Sequence, residues 1–388
     1  MKIKILKKNI IQYLITVIIL MFCINVTYSI FVFDNYSWLP LAIDFIVIFF
    51  SLCSNLINIK RVYCEMIKQF FLPLIIPSVL SAFTSVLIYN SEKYTMSSFK
   101  YILWLYGAYL LGYFLVEKFK IKAFYLFLTA GTISYITVIF QALITNNWGI
   151  LEVHELTYIY GMLFVFFLAY KDITNKVRII TCIICVLGII LGGKRILWLA
   201  VIIALFTYFI FYKIIDGKAK LLRIITISTV ILTFLWIWIV KNGYFESICL
   251  KFNINDMSRL KMWNYFKKDY NFSLSYWGRG LTYTDIVMSE VHSQLFISTA
   301  IPIHNAILKM FIGWGFIPLA YYLYAYIYMR VLYIMKKEQN KNAWIFFIVT
   351  IIFLIINFFG DTMFNIGISI CYAMIWTILQ NSDRYGGN

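Results

Sequence analysis

Charge is what this 388-residue chain most lacks: 13% of its residues are charged, against 62% hydrophobic and 20% aromatic. A water-soluble domain carries about a quarter charged residues, so the polar surface that would face water is missing and lipid must take its place. Proline is scarce, at five residues, and no Pro/Gly/Ser-rich linker, long charge run or internal repeat divides the chain. That excludes a disordered or collagen-like polymer and points to one membrane domain over residues 1–388. The seven cysteines do not form a disulfide framework, because Cys23, Cys53, Cys182, Cys185 and Cys371 lie in apolar runs, Cys64 in a basic connection and Cys249 alone in a loop. Cys182 and Cys185 have CxxC spacing, yet an apolar run without an electropositive neighbour is a poor place for a thiolate, and packing explains them. HExxH, a clustered Asp/Glu pair with metal spacing, a P-loop and GxSxG are all missing. Zinc hydrolysis, ATP hydrolysis and a serine nucleophile are therefore not expected, nor is a metal or cofactor. The apolar runs also lack the buried carboxylates of ion-coupled transporters; Asp44 and Lys309 stand near outer ends.

What is present is apolar runs near the roughly 17 to 25 residues that cross a bilayer. Twelve are expected: Ile10 to Phe33, Leu39 to Ile59, Phe70 to Tyr89, Tyr101 to Val116, Ala123 to Thr145, Leu156 to Tyr170, Ile179 to Gly192, Ile196 to Tyr212, Ile224 to Val240, Ala306 to Tyr328, Ala343 to Phe359 and Met363 to Leu379. They must be helices, since in hydrocarbon each backbone N–H and C=O has to be satisfied within its own segment. The fold class is thus all-α, a polytopic transmembrane bundle with one large outer-face loop, residues 241–303, containing short helices.

The net charge of +17 would suggest nucleic acid in a soluble chain. Here the basic residues sit in short connections, so no nucleic-acid partner is expected. With both termini cytoplasmic, alternate connections hold 22 of the 34 Lys and Arg, among them Arg330 to Lys341, as the positive-inside rule requires. The first apolar run is too long for a signal-peptide core and is read as a retained helix.

The exceptions lie on the outer face. Lys194 and Arg195 fill a tight turn after Gly192 and Gly193, and the long loop carries Lys241, Lys251, Arg259, Lys261, Lys267, Lys268 and Arg279. His154, His292 and His304 fall on the same face. In Ser258 to Tyr270, Arg259, Trp263, Phe266 and Tyr270 recur at spacings of 4, 3 and 4, one stripe of an interfacial amphipathic helix. Arg259 on that stripe either reaches headgroups or faces a ligand. Trp277, Gly278, Arg279, Gly280 form a turn whose glycines allow positive φ or close backbone approach. His304 stands at the mouth of a helix that carries Gly313 and Gly315, and Asn305 is placed to cap it.

The order of these pieces resembles the O-antigen polymerase and O-antigen ligase superfamily: a basic residue in a short turn after a glycine pair, Arg then Trp four residues on, GxG, and His-Asn entering a helix with paired glycines. The motifs cover Gly192 to Pro318; the first half is similar in hydropathy only. One departure is Lys309 with Met310 where the family often has an acidic residue.

The resemblance implies metal-independent glycan transfer on the outer face of a bacterial inner membrane, from an undecaprenyl diphosphate carrier. Arg195 and Arg259 are similar to the family's two essential arginines and His304 to its essential histidine. Arg279, Lys194, Asn305, Trp263 and Trp277 are expected to bind substrate. The residue types suit that chemistry: fixed guanidiniums stabilise the charge that gathers on a departing diphosphate, and an imidazole can take the proton of the attacking hydroxyl. The expected activity is polymerisation of lipid-linked surface-polysaccharide repeat units, O-antigen or capsule. Its partners would be the lipid-linked oligosaccharide, membrane lipids, and the pathway's chain-length regulator and flippase. Alternatives are a ligase moving the same donor to lipid A core, a lipid-phosphosugar transferase using Asp34 as base, and a flippase.

Overall fold

The computed structural model describes residues 2–24, 67–89, 92–151, 154–214, 218–253, 259–291, 303–337 and 340–381, all helix, turn or irregular segment with no strand among them. The expected second run, Leu39 to Ile59, with Asp34 and Asp44, lies outside the described residues, as does His292. The first half gives α1 (Lys2–Ile24), α2 (Leu72–Tyr89, entered through a π turn at Ile67–Phe71), α3 (Glu92–Phe119), α4 (Lys122–Thr145) and α5 (His154–Ala169). Next come α6 (Asn175–Gly192), α7 (Arg195–Thr207) and α8 (Ala219–Lys241). Beyond Lys241 the chain forms the short helices α9 (Tyr244–Lys251), α10 (Arg259–Phe266) and α11 (Tyr283–Val291). It closes with α12 (Ala306–Trp314), α13 (Phe316–Leu323), α14 (Arg330–Lys337), α15 (Asn340–Phe358) and α16 (Ile366–Gln380).

By length and composition five stretches among the described residues can cross a membrane: Lys122–Thr145, Trp148–Ala169, Asn175–Gly192, Ala219–Lys241 and Asn340–Phe358. Ile10–Met21, Lys68–Thr84, Arg195–Phe211 and Ile366–Gln380 are shorter apolar helices. The run Ala306 to Tyr328, expected as one span, is broken at Gly315, whose φ of +86° lies in the left-handed region. Hydropathy does not register such a break, because it measures solvent preference and not backbone path.

Burial separates an inner group from an outer one. α15 and α16 are buried over nearly all their length, whereas α6, α7 and α8 present exposed Ile, Leu, Trp and Phe outward, the pattern of a lipid-facing surface. Small residues let backbones approach: a Cβ on Gly112 of α3 would lie 2.6 Å from the Ile370 carbonyl of α16. Likewise Gly192, closing α6, sits against Thr157 of α5.

Arg330, assigned above to a cytoplasmic connection, is instead fully buried. The rod from Phe316 to Lys337 continues past Tyr328 through a π turn at Tyr324–Met329, which carries the guanidinium between helices. There it lies 4.0 Å from the Phe70 ring centroid and 3.9 Å from that of Tyr326, and its Nε and Nη2 donate to the Gln69 carbonyl at 3.1 and 2.6 Å. Aromatic faces and a carbonyl stabilise a cation that hydrocarbon alone would reject.

Candidate active site

The large loop is fixed to the bundle by aromatic packing and by backbone. On α10, Trp263 and Phe266 are buried, as is Tyr270 beyond it. Trp263 packs against Trp236 of α8 and Phe245 of α9, with ring centroids 6.1 and 5.4 Å away. Its indole N–H donates to the Ile303 carbonyl at 2.7 Å. The stripe read from periodicity exists, but it faces protein and not lipid. Trp263 is therefore corrected from a sugar-binding residue to a buried strut that holds the residue before His304.

The paired glycines solve a second problem. The last carbonyls of a helix have no partner within it, and those of α12 are taken by the loop: Arg279 N–H donates to Ile312 O at 2.9 Å and Gly280 N–H to Gly313 O at 2.8 Å. In return Phe316 N–H donates to Tyr276 O at 2.8 Å. Two backbones this close leave no room for side chains. A Cβ on Gly278 (φ +83°) would stand 2.4 Å from Gly313 O, and one on Gly315 2.4 Å from the Trp277 carbonyl carbon. We expect Gly278→Ala to lower thermal stability in detergent by about 1–3 kcal/mol of overpacking, added to about 1–2 kcal/mol for a left-handed alanine. Gly193→Ala, at φ +59° with nothing within 4 Å, should show only the second cost.

His304 enters α12 at φ +49°, left-handed, between buried Ile303 and buried Asn305. Asn305 caps the helix as expected, its Oδ1 accepting from Leu308 N–H at 2.9 Å. One residue on, Ala306 N–H donates to Gly360 O at 2.9 Å. The strut at Ile303 and the bond at Ala306 thus hold the histidine from both sides. Asn305 is fully buried and engaged through Oδ1 as the cap, while its Nδ2 has no hydrogen-bond partner among the described residues.

Around this imidazole the chain gathers positive charge. Burial, then the Arg259 guanidinium and then the Lys194 ammonium hold the His304 pKa below its ordinary value. Lys194 directly follows Gly193, whose left-handed φ of +59° ends α6 in a tight turn. The first turn of α5 carries Thr157 against Gly192 and the Tyr158 hydroxyl near Gly360, tying that turn to the His304 region. Arg259 Nε is buried with no hydrogen-bond partner among the described residues.

Arg195, expected in the same cluster, stands exposed at the start of α7, and the cation acting on His304 from this turn is its neighbour Lys194. Arg279 is engaged elsewhere: its Nε donates to Asp269 O at 2.7 Å, its Nη2 lies 3.8 Å from the Asp269 carboxylate, and it rests over the Tyr283 ring at 5.2 Å. It braces the loop. Trp277 keeps an exposed side chain.

Sequence reasoning missed the acidic part of this region. Lys309 is buried, its Nζ 2.7 Å from Asp285 of α11 and 3.0 Å from Asp361, which follows Gly360. Its ammonium also lies 4.5 Å from the Phe364 ring centroid. A lysine at the end of an apolar helix requires counter-charge, and that demand was the available clue. The departure at Lys309 is thus met in space by two carboxylates from distant segments.

Comparison with family models, with curated proteins and with solved structures gives no match to this chain.

Proposed function

We propose that this chain is a metal-independent glycosyltransferase of the bacterial inner membrane, with about twelve crossings, that polymerises lipid-linked surface-polysaccharide repeat units. What supports the reading is that the Arg259 guanidinium and the Lys194 ammonium, from two distant segments, both act electrostatically on His304 at the entrance of α12. Cations acting on a half-buried imidazole suit a diphosphate leaving group and a hydroxyl nucleophile. Arg259 and Lys194 hold the diphosphate of an undecaprenyl diphosphate donor. His304 takes the proton of the acceptor hydroxyl as its oxygen attacks the anomeric carbon. The bond to the diphosphate breaks and its electron pair leaves with the lipid carrier, a single displacement with inversion.

Purified protein given lipid-linked oligosaccharide should produce a ladder of oligomers without lipid A. Strict dependence on lipid A core would make it the ligase, and movement of lipid-linked sugar across vesicles without new glycosidic bonds would make it a flippase. Arg259→Lys keeps the charge but loses the planar fork; its turnover should fall by about 10²–10³-fold, the usual cost of removing one donor to developing charge.

The pH profile follows from the sign of the His304 shift. A general base works unprotonated, and a lowered pKa keeps it so at neutral pH, so kcat/KM should fall only as pH drops below about 6.5, the ordinary histidine value. A bound diphosphate offsets the charge of Lys194 and Arg259 and raises that pKa. The acid limb of kcat should therefore lie at higher pH than that of kcat/KM. Coincident limbs would remove the two cations from the donor site.

A further inference from the structure

We infer that α9 lies in the lipid headgroup boundary on the outer side of the bundle and anchors the large loop to the membrane. The inference rests on the membrane setting and holds whichever reaction the site performs.

One side of α8 is exposed through Ile224, Ile227, Ile231, Leu235 and Trp238, spaced 3, 4, 4 and 3 residues apart along a helix able to cross a bilayer. This apolar strip does not stop where the helix stops. The Trp238 and Tyr244 rings pack with centroids 5.2 Å apart, and the exposed surface continues through Tyr244, Ile248 and Phe252 at spacings of four. Leu250 and Phe252 are 76% and 66% exposed. In water so much uncovered apolar surface on an eight-residue helix would be costly; at a membrane surface it is favourable. An aromatic pair where the strip leaves the crossing helix, with Lys251 beside Phe252, is the composition of an interfacial segment.

The other side of α9 belongs to the protein. Cys249 is buried, and Phe245 packs on Trp236, Trp263 and Phe359 at 5.0, 5.4 and 5.9 Å. Glu246 accepts from Asn264 Nδ2 at 3.1 Å and lies 3.6 Å from the Lys267 ammonium, which joins α9 to α10 and the segment after it. The depth of α9 in the lipid thereby sets the height of Arg259 above the hydrocarbon. Periodicity placed the interfacial stripe on the helix of Arg259; in the structure the helix before it has that surface.

The test is photo-crosslinking of the full chain in nanodiscs of phosphatidylethanolamine and phosphatidylglycerol, with benzoylphenylalanine in place of Ile248 or Phe252, of Ile231 as the bilayer-embedded reference, and of exposed Lys261 as the aqueous one. Lipid adducts at residues 248 and 252 as at 231, with loss of adducts at 261, are expected. Absence of lipid adducts at 248 and 252 while 231 gives them would overturn the inference. So would crosslinks from those positions to a second copy of the chain.

Discussion

Replacement of His304 by asparagine should reduce turnover by about 10²–10⁴-fold, the usual worth of general-base help, while the protein still folds. Asparagine is the informative substitution because residue 304 sits at φ +49°. Asn adopts the left-handed region with little strain, whereas alanine would add a backbone cost to the chemical one. The half-buried side chain is not part of the packed core, and the bonds that position it use the backbone of Ile303 and Ala306. His304→Asn should therefore leave the thermal transition in detergent close to wild type. Turnover within a few-fold of wild type would reject His304 as the base. Equal loss of stability and activity would mean that the residue holds structure.

Lys309→Met should produce a large loss of stability. The lysine is sandwiched between Asp285 and Asp361, and its removal leaves two carboxylates, each mostly shielded from water, without the ammonium between them. Removing one partner of a buried ion pair typically costs about 3–5 kcal/mol. The check is a triple variant, Lys309→Met with Asp285→Asn and Asp361→Asn. If uncompensated charge causes the loss, the neutral triple variant should recover most of the thermal stability. A triple variant as unstable as Lys309→Met would locate the defect in packing instead.

Much of the site can be read from the sequence because its motifs are local. The asparagine placed to cap a helix does cap it, since capping depends on residues three apart. The GxG turn and the glycines of α12 were legible as places needing close approach or positive φ, though not as partners of each other. Trp263 shows where such reading fails: a stripe of Arg and aromatics at helical spacing looks the same whether lipid, substrate or protein covers it, and here protein does. Lys309 and Arg330 show the same limit for charge. Each stands in an apolar context, and its partners come from segments far along the chain.

By itself the sequence determined that this chain is helical, with helices long and apolar enough to cross a membrane, because hydropathy and the need to satisfy backbone groups in hydrocarbon act within each segment. It also supplied Arg195, Arg259 and His304 as catalytic candidates and Lys194 as a substrate-binding one, through a family resemblance that their residue chemistry suits. Tertiary structure decided which cation joins Arg259 at the imidazole, which aromatics are buried and which short helix keeps an apolar face uncovered. A helical repeat defines the faces of a helix, but only packing against distant segments determines what each face meets.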